Sequence, residues 1–186
     1  MSDPHRARLA AQFDGYFQQW PEEQAADAGF SELLGEADPF VRARLEGHFT
    51  ASAWLVSADG RRVLLMHHAK LLRWLQPGGH ADGEADLPAV ALKEAEEETG
   101  LAGLVLEDGA IFDLDRHWIP DRKDVPGHWH FDVRYVVRAA GGEAFVGNHE
   151  SLGLAWRPVD AVAADPDVSL SRMAGKWLRR IAQASA

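Results

Sequence analysis

The chain contains no cysteine. Disulfides are therefore excluded, and so is any metal site built on thiolates. Basic residues are scarce: 19 Lys and Arg stand against 29 Asp and Glu, giving a formal net charge of −10. Non-specific binding to a nucleic-acid polymer relies on a basic surface that releases counterions, so no such partner is expected. A small anionic ligand stays compatible with this charge if cations neutralise it locally. Apolar runs are short, and none approaches the length that a membrane-spanning helix needs. Residues Met1 to Arg8 lack the apolar core of a signal peptide, so the expectation is a cytoplasmic protein without a membrane partner. Repeats, low-complexity stretches and flexible linkers are also missing. What is present is ordinary: 186 residues with 46% hydrophobic side chains are enough to bury one core.

Residues 1–46 read as an N-terminal helical extension packed on a main domain that occupies 47–186. Leu9, Phe13, Phe17 and Trp20 recur at helical spacing and mark one buried stripe. Pro21, followed by Glu22 and Glu23, suits the first turn of a second helix. A third short helix is expected over Pro39 to Leu45. Strands follow at Phe49–Ser57 and Arg61–His68, joined by a turn at Ala58-Asp59-Gly60. A short strand at Trp74–Gln76 runs into Pro77-Gly78-Gly79, which reads as a turn. Residues Leu87 to Thr99 form a helix that Asp86 is placed to cap, with Pro88 in the first turn and Gly100 at its end. Two long strands, Ala110–Ile119 and His128–Arg138, precede a strand near Leu154–Arg157 and a C-terminal helix over Ser169–Ala184. The expected fold is α/β (α+β): a mixed β-sheet with flanking helices arranged as a sandwich.

The most informative segment is PGGHADGEADLPAVALKEAEEETGL, Pro77 to Leu101. Helical spacing puts Glu94, Glu97 and Glu98 on one face, with Glu96 turned away. Carboxylates so placed repel one another, and a divalent cation removes the repulsion; Mg²⁺ takes oxygen ligands and keeps waters to meet a phosphate. A solvated acidic face is the alternative, but the glycine turn upstream and the Thr99-Gly100-Leu101 stop count against it.

This segment resembles the Nudix box, with Gly79 on the leading glycine and Lys93-Glu94-Ala95-Glu96-Glu97-Glu98-Thr99-Gly100-Leu101 on its end. Two positions depart from the pattern. Lys93 stands for the box arginine, keeping charge but losing the planar fork, and Ala85 falls on the first box glutamate, with Glu84 and Asp86 on either side. The resemblance implies a Nudix-type sandwich and a Nudix hydrolase that cleaves a phosphoanhydride bond of a nucleoside diphosphate linked to another moiety. ADP-ribose-like compounds, nucleotide sugars, dinucleoside polyphosphates and nucleoside triphosphates all remain open. It implies Mg²⁺, with Mn²⁺ as a substitute, held by Glu94, Glu97 and Glu98, and a carboxylate acting as base. Glu150 precedes Trp156 at a spacing similar to that in some Nudix pyrophosphohydrolases, where such a glutamate reaches a metal or acts as base; an exposed loop acid is the other reading. One alternative is a catalytically weakened Nudix-fold module that senses or binds a nucleotide. An isoprenoid-diphosphate isomerase relative is disfavoured because the cysteine it would use is missing.

Residues outside the box are candidates for contacting the nucleotide. Backbone amides of Gly78 and Gly79 are placed to position phosphate oxygens. Along the second long strand His128, His130, Asp132 and Arg134 share a face opposite Trp129, Phe131, Val133, Tyr135 and Val137. The polar stripe reads as pocket lining in preference to a zinc site, with Arg134 either touching phosphate or held in a buried ion pair. His67, His68 and His80 flank the glycine turn. Trp74 and Trp129 would stack on a base unless they pack in the core. The N-terminal helices could cover the site or form a homodimer contact.

Overall fold

The computed structural model describes residues 3–122, 125–147 and 151–184. Helix α1 (Pro4–Gln19) starts where the Asp3 carboxylate accepts the His5 amide, with Pro4 in the first turn. It buries Leu9, Phe13, Tyr16 and Phe17, so Tyr16 joins the expected stripe and Trp20 is only half-buried. After Pro21 the chain makes a 3-10 helix (Pro21–Ala26) and then α2 (Asp27–Gly35). The expected third helix over Pro39–Leu45 does not form; the segment makes isolated turns. Its backbone is drawn to the sheet instead. The Phe49 amide donates to the Pro39 carbonyl over 2.8 Å, and the Phe40 ring packs 5.4 Å from that of Phe49.

The strands are β1 (His48–Val56), β2 (Arg62–His68), β3 (Trp74–Leu75), β4 (Gly78–His80), β5 (Leu104–Leu106), β6 (Asp113–Ile119), β7 (His128–Ala139) and β8 (Ser151–Pro158). They make one mixed sheet with the order β3-β2-β1-β7-β5; β4 joins β1, β6 joins β7 and β8 joins β2. The β1–β7 pair is parallel and the other pairs are antiparallel. Helices α3 (Leu87–Thr99), α4 (Val159–Val162) and α5 (Val168–Ala184) complete the fold. It is an α/β sandwich, a mixed sheet with flanking helices. Among the described residues, no helix is long and apolar enough to cross a membrane.

The glycine segment differs from its expectation. Gly78 and Gly79 lie in β4, where Ser52 faces Gly78, Ala51 faces Gly79 and Thr50 faces His80. Glycine has no strand propensity of its own, so this extended stretch is imposed by pairing with β1.

Strand β1 is buried along its whole length, and its alternation assigns the layers. Phe49 and Ala51 pack with α1, α2 and the first turns of α3. Ala53 and Leu55 pack with Ala95 of α3 and with Leu101, Leu104 and Val137. The opposite face changes character along the strand. Trp54 and Val56 are covered by Leu170, Met173 and Trp177 of α5, whereas His48, Thr50 and Ser52 are polar and still buried. A buried polar surface needs internal partners, and those partners form the site.

Candidate active site

Helix α3 runs from Pro88 in its first turn to Gly100, whose φ of 65° and amide bond to the Glu96 carbonyl end it. The Asp86 side chain makes no cap, contrary to expectation. Its amide donates instead to Glu84 Oε1 over 2.9 Å, so Glu84 is engaged in this local turn.

Strand β4 lies against α3, and its glycines are required there. The Gly78 amide donates to Glu98 Oε2 over 2.9 Å. A Cβ on Gly79 would fall 2.5 Å from Glu94 Oε2, and one on Gly78 would fall 2.2 Å from Ser52 Oγ. Alternation thus turns Gly79 toward the acidic helix and Gly78 toward the polar face of β1. Because its amide is bonded to Glu98, Gly78 does not present that donor to a phosphate as expected. Glu98 is buried and Glu94 half-buried, while Glu97 is exposed and lies 3.5 Å from the exposed Lys93 ammonium. Sharing a helix face has not gathered the three carboxylates tightly: among the described residues, the acid or histidine trio with donors within 4.8 Å of one another is made of histidines. Glu150 lies outside the described residues.

Tight convergence is not required for Mg²⁺. That ion is held by one or two carboxylates and completes its shell with waters and substrate phosphate. Glu94 and Glu98, set beside the two glycines of β4, match that requirement, with Glu97 on the same helix face as a further oxygen donor.

Behind β4 the polar face forms one hydrogen-bonded network. Asp132 accepts from Thr50 Oγ1 (3.0 Å), Ser52 Oγ (2.8 Å) and Arg134 Nε (2.8 Å). Arg134 also donates to Asp113 (2.9 Å) and to Ser169 of α5 (2.6 Å). Arg172 and Lys176 of α5 both reach Asp113, and Lys176 continues to Tyr16 of α1 and to Glu23. Burial acts to raise the Asp113 carboxyl, but the Arg172 hydrogen bond and the charges of Arg134, Arg172 and Lys176 outweigh it and hold it low. Arg134 is therefore a buried ion-pair residue rather than a substrate contact, the second of the two roles its position allowed.

Histidines occupy the end of the same face. His48 pairs with His130 across β1 and β7, and His130 with His117 across β7 and β6. His80 completes the group, its ring 5.0 Å from that of His130. Burial, followed by the charges of its histidine neighbours, pushes His130 down to about 2, and burial with Arg42 and His48 pushes His80 to about 4. Both are neutral imidazoles near pH 7. Other candidates lie elsewhere. His68 Nδ1 accepts the Lys70 amide in the β2–β3 turn, and Trp74 sits beside His67 against the α5 core. Trp129 turns to the opposite face from His130, where Arg116 stacks on it at 4.9 Å.

The family model of the NUDIX domain matches residues 47–178, more than half of the chain. The chain belongs to the Nudix family. Solved structures agree with this assignment. A Nudix hydrolase from M. smegmatis, RenU, is 25% identical with a TM-score of 0.51, over 75% of this chain and 88% of that one. The Nudix domain of Shewanella oneidensis NrtR, complexed with ADP ribose, is 21% identical with a TM-score of 0.52, over 81% and 97%. A C. elegans Ap4A hydrolase is 16% identical with a TM-score of 0.56, over 73% and 98%. No curated protein matches the sequence. The two departures from the Nudix box now have surroundings. Ala85 is partly buried against the core cluster that includes α1, and Lys93 is an exposed partner of Glu97.

Proposed function

We propose that this Nudix domain is a Mg²⁺-dependent pyrophosphohydrolase that cleaves a phosphoanhydride bond of a nucleoside diphosphate linked to another moiety, with Mn²⁺ able to replace Mg²⁺. A bound Mg²⁺ supplies charge that neutralises the diphosphate and makes a coordinated water acidic. Glu94 and Glu98 hold the ion beside β4, and Glu97 is the third ligand. One of these carboxylates, or Glu150, takes the proton from the attacking water. The products are two phosphorylated fragments. The observation that carries this reading is the seating of Glu98 on the Gly78 amide, with Glu94 in the space that Gly79 leaves.

A second reading is a nucleotide-binding module with weakened catalysis. It is favoured by Ala85, which packs partly buried against the core and leaves no acid at the first box-glutamate position. The ADP ribose in the related Nudix domain makes ADP-ribose-like compounds the first ligands to try. A panel of ADP-ribose, dinucleoside polyphosphates, nucleotide sugars and nucleoside triphosphates, incubated with Mg²⁺ or Mn²⁺, separates the readings. Metal-dependent cleavage that falls by about 10² or more in Glu98→Gln supports the hydrolase. Tight binding without turnover supports the module, and full activity in both Glu97→Gln and Glu98→Gln overturns the proposed site.

A further inference from the structure

His48, His128 and His130 come from distant parts of the sequence and meet at the end of β1 and β7. Each offers a ring nitrogen, and the three nitrogens lie within 4.8 Å of one another. We propose that these three histidines form a binding site for a divalent transition-metal ion of the zinc class, separate from the acidic helix.

The spacing suits such an ion. His128 Nε2 and His130 Nε2 are 3.2 Å apart, close to the ~3.3 Å edge of a tetrahedron with metal–nitrogen bonds of about 2.0–2.1 Å. Two of the rings are already oriented by their other nitrogen. His48 Nδ1 lies 3.2 Å from the Arg44 carbonyl, and His128 Nδ1 lies 2.9 Å from the Pro126 carbonyl. A carbonyl only accepts, so each Nδ1 carries hydrogen, which in a neutral imidazole leaves Nε2 as the lone-pair nitrogen. A backbone carbonyl on the far nitrogen is the usual outer partner of a metal-bound histidine.

His48 supplies the second, independent observation. The residue is 1% exposed, and its Nε2 is buried without a hydrogen-bond partner. A buried bare lone pair is costly, and a metal ion at the centre of the trio satisfies it. Neutral imidazole is also the form that binds metal, and burial favours that form.

Donor chemistry selects the ion. Three imidazoles suit Zn²⁺, Cu²⁺ or Ni²⁺, whereas Mg²⁺ and Ca²⁺ take oxygen. Asp132 shares that strand face but is committed to Thr50, Ser52 and Arg134, so it is not the third ligand. Pairing of β1 with β7 puts His48 in its place. Three protein ligands leave a fourth position for water or an anionic oxygen. His80 and His117 stand beside it, their rings 5.0 and 5.5 Å from that of His130, and His117 is held by Asp115.

The test uses the full, tag-free chain stripped with a chelator, then titrated with Zn²⁺ by calorimetry and with Co²⁺ by visible absorption. Excess Mg²⁺ is present throughout to occupy the carboxylates. One equivalent of Zn²⁺ is expected, with the intense visible bands of low-coordinate Co²⁺. Both signals should persist in Glu94→Gln/Glu98→Gln, and affinity should fall at least tenfold in His130→Asn and in His128→Gln. Thermal melts report whether each variant is folded; half-exposed His130 carries the test if a buried substitution unfolds the chain. Absence of binding by the unsubstituted chain overturns the site. So does binding that both histidine variants retain, or binding lost only when the glutamates are replaced.

Discussion

The Gly78 amide donates to Glu98 Oε2 across 2.9 Å, joining the edge of the sheet to the acidic helix. The neighbouring residue leaves no room for a side chain, since a Cβ on Gly79 would stand 2.5 Å from Glu94 Oε2. Gly79→Ala must therefore shift β4 or turn Glu94 aside. A cost of about 1–3 kcal/mol is expected from this overpacking, with a larger loss in Mg²⁺-dependent turnover than the melt would suggest. Gly15→Ala is the control. Nothing lies within 4 Å of its Cβ position in α1, so it should stabilise by up to about 1 kcal/mol. Urea titration and turnover of both variants check the contrast.

Lys93 and Glu97 form an exposed i,i+4 pair at 3.5 Å. Such pairs contribute only about 0.3–0.5 kcal/mol to stability. If Glu97 helps to hold Mg²⁺, the ammonium competes with the ion for the same carboxylate. Lys93→Ala should leave the melt nearly unchanged while lowering the half-saturating Mg²⁺ concentration roughly twofold or more, the factor that ~0.4 kcal/mol of competition gives. A Mg²⁺ titration of turnover reads it. An unchanged midpoint would place Glu97 outside the metal shell.

The sequence made some parts of this molecule legible and hid others for physical reasons. Helix α3 was readable because Pro88 and Gly100 mark its ends through local backbone preference. The stripe on β7 was readable because alternation is a short-range pattern. Strand β4 was not, since two glycines carry no strand signal and only β1 makes them extended. Pro39–Leu45 had helical composition, but contact of Phe40 with Phe49 won over propensity. His48 was missed as a partner of His128 and His130 because their meeting depends on parallel register between strands about eighty residues apart. A histidine opening a strand whose alternate positions, His48, Thr50 and Ser52, are polar was the available signal. Arg134 reads from the sequence as having one of two roles, and choosing between them needed Asp113 of β6 and Arg172 and Lys176 of α5, two other places in the chain.

Arg134 predicts a large stability loss that its neighbours on the surface do not share. Its guanidinium is buried and pairs with Asp113, Asp115 and Asp132. Arg134→Met fills similar volume but strips charge from buried carboxylates, so a loss of about 3–5 kcal/mol is expected. Arg180→Ala removes a half-exposed guanidinium that pairs with Glu107 and Asp108, and should cost about 1 kcal/mol or less. Equilibrium denaturation of the two variants checks the difference. Similar midpoints would mean that the buried network contributes little.

Acid should loosen the same network. Asp113 faces Arg134 of β7, Arg172 and Lys176 of α5 and Tyr16 of α1, with Asp115 two residues away and Glu23 beyond Lys176. Its folded pKa lies below the ordinary aspartate value of 3.8, so near and below that pH the unfolded chain takes up more protons than the folded one. The stabilisation from Asp113 is thus complete well above pH 4 and is lost as the pH falls through the folded value. Asp115 is lowered as well: burial opposes its ionisation, but His117, Arg134 and Arg172 prevail, and it adds to the same slope. The melting temperature should stay nearly level from about pH 7 to 5 and drop steeply below about pH 4. Asp113→Asn should start from a lower plateau and show a shallower acid limb, because the group that would take up the proton is gone. An acid limb as steep as that of the unsubstituted chain would assign the loss to other carboxylates.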